Sequence, residues 1–148
     1  EIAARGEYVS TVLLDSPGGS VSDALEIGRL ILSEGLSTEV RDGGLCASSC
    51  ALVFASGAER IAGQEAAIGV HQIYAAALSA STADALSVAG VAMADAQHAT
   101  AEITRHLGET GVDVAMWLHA LETPPDRLYY FSPEELERYR LVTDWAEN

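Results

Sequence analysis

Lysine is absent from the chain, and all eight basic residues are arginine. Any mechanism with a lysine general base or a lysine Schiff base is therefore excluded. Cysteine is nearly absent as well, with only Cys46 and Cys50, four positions apart. Two thiols cannot make a disulfide scaffold, and they lack the second ligand pair of a zinc site. They leave two readings open: small buried thiols near a helix start, or a local disulfide, which needs an oxidising compartment and Cα atoms within about 7 Å. No apolar run reaches the roughly 18 residues of a membrane span. Positive charge is scarce, since eight basic residues against 22 acidic ones leave a net charge of −14. Such a surface repels phosphate backbones and anionic headgroups, so nucleic acid is not an expected partner.

What is present suits one soluble domain, 1–148. Its 148 residues are 49% hydrophobic, enough to bury roughly two thirds of the unfolded surface around a single core. Tyr8 to Leu14 is β-branched and apolar and stops at Asp15-Ser16-Pro17-Gly18-Gly19, a strand followed by a turn. Ser20 with Asp23 caps a helix that turns Leu25, Ile27, Leu30 and Ile31 inward and ends at Gly35. Ser37 to Arg41 is a second strand, Asp42-Gly43-Gly44 a loop, and Ser48 to Ala55 a buried helix ending at Gly57. Arg60–Ala62 and Ala67–Val70 are short strands around Gly63-Gln64-Glu65, and Ala75 to Ser81 is weakly patterned.

Thr82 to His106, proline-free and alanine-rich, is a long helix with a break or kink expected near Gly90 and a stop at Gly108. Val112–Leu121 is a shorter helix broken by Glu122-Thr123-Pro124-Pro125-Asp126, and Tyr129-Tyr130-Phe131 is a strand. Ser132-Pro133-Glu134-Glu135 is a capping box with proline at its first helical position, and Leu141-Val142-Thr143 a last strand. The alternation of strand and helix predicts an α/β fold with a mainly parallel sheet.

Three segments carry chemistry. Ser48 lies in the small-residue run Gly44-Leu45-Cys46-Ala47-Ser48-Ser49-Cys50-Ala51, after the Gly18-Gly19 turn and before Val70-His71-Gln72. A hydroxyl, a turn rich in backbone donors and an imidazole are the parts of a serine hydrolase. His98, His106 and His119 fall on predicted helices with no motif around them and read as solvated or packing residues.

In order and spacing, Leu14-Asp15-Ser16-Pro17-Gly18-Gly19, Gly44-x-x-Ala47-Ser48, Gly57 and Val70-His71-Gln72 resemble the proteolytic subunit of the Clp protease and its crotonase-like superfamily. The likeness runs from about Val9 to Val142 and is nearest to Clp-like proteins, many predicted to be periplasmic, with a Cys-x-Ser-x-Cys nucleophile segment. It implies a ClpP/crotonase-like fold of repeated β-β-α or βαβ units, with a long helix used for homo-oligomerisation. It also implies a periplasmic or secreted location, with the cytoplasm as the alternative. The chain opens Glu1-Ile2-Ala3-Ala4-Arg5-Gly6 with no signal peptide, as a mature form would too.

Carried over, the resemblance makes Ser48 the nucleophile at a helix start, His71 its base, and the Gly19 and Ser49 amides the oxyanion donors. The family places an acid ahead of a Phe-x-Ser-x-x-Glu-like stretch, here Tyr130-Phe131-Ser132-Pro133-Glu134-Glu135. Glu122 falls nearest that place, Asp126 is the alternative, and a Ser-His dyad without an acid also stays open. The chain has no room for the family's preceding strand and helix or its ATPase-docking segment, so docking to a Clp-type unfoldase is not expected. Signal peptide peptidase A and its kin share the fold but use a lysine base, which the composition forbids. The expected function is a serine endopeptidase acting on peptide or protein without metal or cofactor. The alternatives are a crotonase-type acyl-CoA hydratase or isomerase, for which no placed glutamate is evident, and an inactive Clp-like binding or assembly protein.

Overall fold

The computed structural model describes residues 10–73 and 82–147. Tyr8 and Val9 of the expected first strand, and all of Ala75–Ser81, lie outside the described residues. The elements in chain order are β1 (Thr11–Leu13), α1 (Val21–Glu34), β2 (Ser37–Val40), β3 (Leu45–Ala47), α2 (Cys50–Phe54), β4 (Arg60–Ala62), β5 (Ala67–Val70), α3 (Thr82–Thr110), α4 (Met116–Glu122), β6 (Tyr129–Tyr130), α5 (Pro133–Arg138) and β7 (Asp144–Trp145).

The chain is α/β. One sheet has the order β1-β2-β4-β7 with every pair parallel, and a second has the order β3-β5-β6, parallel between β3 and β5 and antiparallel between β5 and β6. Parallel neighbours need crossovers, and α1 and α2 supply them in the first half of the chain. Between the elements lies a core built from Leu25, Leu52, Phe54, Ile68, Leu107 and Met116 among others. All five residues of α2 are buried, which is why that stretch is apolar on every side instead of in one stripe.

The caps of α1 follow the sequence. Ser20 Oγ accepts from the Asp23 amide at 3.3 Å, and Gly35, left-handed at φ 66°, donates to the Ile31 and Leu32 carbonyls. Its inward face differs from the expected one: Ala24, Leu25, Gly28 and Ile31 are buried, whereas Ile27 and Leu30 are 46% and 39% exposed. Gly28 is the cause, because a Cβ there would stand 2.9 Å from His106 Nε2. The helix lies down on its glycine and turns its neighbours outward.

Three further boundaries differ from the expected ones. The long helix α3 passes through Gly90 and Gly108 without a break and ends at Thr110, with Gly111 at φ 84° behind it. The last strand forms at Asp144–Trp145 and not at Leu141–Thr143, because the Leu141 and Val142 N–H groups both donate to Leu136 O at the end of α5 and Arg60 takes the Leu141 carbonyl. Its buried guanidinium donates to Gly57 O at 2.9 Å, Arg140 O at 2.6 Å and Leu141 O at 3.0 Å. Leu141 and Val142 are buried as core residues all the same. The helix expected from Val112 starts at Met116, after a turn in which Asp113 Oδ1 accepts from the Ala115 amide at 2.9 Å.

His106, 2% exposed, lies 2.7 Å from Ser56 Oγ, and the Ser56 hydroxyl itself donates to Leu52 O at 2.8 Å. The Nε2 atom must therefore carry the proton, and Nδ1 is left without a partner among the described residues. Burial, and then the charge of Arg29, holds the His106 pKa below its ordinary 6.5, with Glu109 opposing in part. The unfolded chain thus takes this proton first. The stability contributed by neutral His106 is complete above pH 6.5 and is lost as pH falls through that value toward the lower folded pKa. In denaturant titrations between about pH 7 and pH 5, His106→Gln is expected to lose less stability on acidification than the native chain; parallel losses would refute this.

Candidate active site

After β1 the chain leaves its sheet and runs beside β3. Ser16 N–H donates to Leu45 O at 2.6 Å, Ala47 N–H returns a bond to Ser16 O at 3.0 Å, and Asp15 Oδ1 accepts from Leu45 N–H at 3.0 Å. Gly18 is thereby carried under Ser48. It adopts φ 118°, and a Cβ on it would stand 2.8 Å from Ser48 Cβ and 3.2 Å from Ser48 Oγ. Glycine is required at this position twice over, by conformation and by space.

Ser48 occupies the turn between β3 and α2, at a left-handed φ of 60° that costs a non-glycine residue about 1–3 kcal/mol. Its amide donates to Gly69 O at 2.8 Å, which pins the turn to β5. The expectation of a nucleophile at the first position of a helix is corrected here: the helix begins at Cys50 and Ser49 is its N-cap. With only five residues α2 supplies little macrodipole, so the local donors are individual amides. The Gly19 and Ser49 amides donate to no acceptor among the described residues. Ser49 Oγ, meanwhile, donates to Gly19 O at 3.2 Å and holds the two segments together.

Cys46 and Cys50 form a disulfide with Cα atoms 5.2 Å apart, and the bond spans the Ser48 turn. Both cysteines are buried, at 0% and 4% exposure.

His71 follows directly on β5 and faces the same cleft as Ser48, a space of about 420 Å³ lined also by Gly19, Val21, Ile73 and Trp117. No hydrogen bond joins Ser48 Oγ to the imidazole. Instead His71 Nδ1 lies 2.6 Å from the main-chain carbonyl of Gln72. A carbonyl only accepts, so Nδ1 carries the hydrogen and Nε2 holds the free lone pair. Gln72 is tied in turn to the end of α4: its amide N–H donates to Thr123 O at 2.9 Å and its side-chain Nε2 to Leu121 O at 2.8 Å.

The structure brings neither expected acid to the imidazole. Glu122 is the exposed last residue of α4, and Asp126 stands in solvent beside Arg127 Nε at 3.6 Å. His98 pairs with Glu102 at 2.8 Å on the surface of α3, while His119 stacks on Tyr129 at 4.3 Å and bonds to the Tyr139 hydroxyl at 2.9 Å. Among the described residues no group of three or more His, Cys, Asp or Glu side chains is placed to hold a metal ion.

Comparison with models of protein families and with curated proteins gives no match, so the reading of this cleft rests on its geometry. Sequence reasoning did not single out Trp117, Val21 or the Gln72 carbonyl. An indole in a short helix reads as core, and a main-chain carbonyl leaves no residue-type signal at all.

The disulfide closes so short a loop that it is worth about 2 kcal/mol by chain entropy. Reduction with dithiothreitol, or Cys46→Ala with Cys50→Ala, is expected to lower the unfolding free energy by about that amount. Equal denaturant midpoints for the oxidised and reduced chain would show that the turn is held by its hydrogen bonds alone.

Proposed function

We propose that the protein is a serine-type peptidase of the Clp-like kind, with Ser48 as nucleophile and His71 as base. The observation that carries this reading is the convergence on one cleft of a hydroxyl on a strained backbone, two amides without acceptors among the described residues and an imidazole whose Nε2 has no partner among them. In the proposed reaction His71 Nε2 takes the Ser48 proton as Oγ attacks a peptide carbonyl, and the Gly19 and Ser49 amides receive the oxyanion. The imidazolium then protonates the leaving amine, and water, deprotonated by the same nitrogen, releases the acyl group. An apolar groove of about 400 Å³ shares Ile73 with the cleft and adds Met93 and Leu121, which suits an apolar side chain of an extended substrate. The disulfide is in keeping with a periplasmic or secreted location.

A second reading has one observation in its favour. The missing Ser48–His71 hydrogen bond is what an inactive binding or assembly protein of the same fold would show, although catalytic bonds of unliganded enzymes often tighten only on substrate. The hydratase reading is weaker, since no carboxylate lines the cleft among the described residues. A fluorophosphonate probe decides between peptidase and inactive homologue. The expected result is an adduct mapped to Ser48, absent in Ser48→Ala and slowed about 100-fold or more in His71→Ala. No adduct on the folded protein would overturn the peptidase reading.

We further propose that copies of the chain associate through α3, whose Val91 and Met93 are 60% and 64% exposed on a helix anchored by Ile103, His106 and Leu107 near its other end. Sedimentation velocity is expected to show an oligomer that Val91→Glu, outside the substrate groove, dissociates; a native monomer at micromolar concentration would refute it.

A further inference from the structure

We propose that Gln72 is the positioning residue of His71, its main-chain carbonyl standing where a third carboxylate stands in a Ser-His-Asp triad. The proposal rests on the reading of His71 as the base. An imidazole base needs its proton on the far nitrogen and its ring plane fixed. One bond supplies both, from Nδ1–H to Gln72 O at 2.6 Å.

A main-chain carbonyl can do this only if the residue that carries it is held still. Gln72 is held at two points by the end of α4. The last carbonyls of a helix have no partner within it. Leu121 and Thr123 offer two such carbonyls, and Gln72 satisfies both, with its side-chain amide at 2.8 Å and its main-chain amide at 2.9 Å. The side chain therefore acts at a distance: together with the Gln72 N–H it anchors the residue whose carbonyl orients the ring. Residue type matters here. Glutamate has the same length but presents an acceptor to the Leu121 carbonyl, and alanine presents nothing.

The arrangement also accounts for the positions of Glu122 and Asp126. The end of α4 meets the segment after β5 through its own main-chain carbonyls, and the Glu122 side chain is left in solvent. What reaches His71 from this helix is the orientation of a dipole and not a charge.

The test reads the tautomer of His71 directly, from imidazole nitrogen chemical shifts in the full chain, with Gln72→Glu and Gln72→Ala beside the native protein. The native ring is expected to be mainly the Nδ1–H form. Both variants should shift it toward Nε2–H, and fluorophosphonate labelling of Ser48 should slow about tenfold or more at saturating probe with little change in the probe concentration that half-saturates. A native Nε2–H ring would overturn the proposal, and so would an unmoved tautomer in a folded Gln72→Glu chain. A shift produced by Glu122→Ala or Asp126→Ala while the Gln72 variants stay native-like would return the role to a carboxylate. Because the tautomer is read without any reaction at Ser48, failure of labelling in the native chain would sink the peptidase reading and leave this measurement intact.

Discussion

Everything at the cleft depends on the passage of the chain from one sheet to the other between Leu13 and Ser16. The main-chain bonds between Ser16 and β3 are the ones that tie the sheets at this point, and they fix the glycine turn relative to the residue after β3. Gly18 is then packed against Ser48, Ser49 reaches back to Gly19, and Gly19 and Ser49, whose amides have no acceptor among the described residues, line the same cleft. Removing the Ser16 bridge would leave each part intact and the site dispersed. The strained φ of Ser48 is sustained by three independent restraints: the bond to Gly69 O, the contact with Gly18 and the disulfide.

The cleft is unusual in how little charge it uses. The chain carries 22 acidic residues, yet Glu122 and Asp126, the two expected to serve His71, face solvent. Orientation comes from dipoles instead: a carbonyl for the ring, amides for the oxyanion, and helix-terminal carbonyls for Gln72. Such groups are positioned by backbone geometry, so they need secondary structure of fixed register more than they need particular side chains.

This division also governs what the sequence could show. Elements announced by side chains were legible: the Ser20 and Gly35 caps of α1, the Ser132–Glu135 capping box, and the short strands Arg60–Ala62 and Ala67–Val70. So was the grouping of Ser48, His71, Gly19 and Ser49 around one cleft. What depended on contacts distant in sequence was not legible. Leu45-Cys46-Ala47 is too short and too small to announce a strand, and becomes one only because Ser16 and β5 lie on either side. Ile27 and Leu30 turn outward because of a histidine 76 or more positions along the chain, and the end of the last loop is set by Arg60. The place expected for an acid went to a carbonyl, which every residue type possesses.

Arg60 illustrates a property that a conventional ion pair would lack. Its guanidinium joins the middle of the chain to the segment ahead of β7, and every acceptor it uses is a main-chain carbonyl. Carbonyls do not titrate. As acid neutralises the carboxylates of so acidic a protein and its carboxylate pairs weaken one by one, this tie loses none of its acceptors. The edge strand β7 is thus fastened to its neighbour β4 by a link that proton concentration does not loosen from the acceptor side.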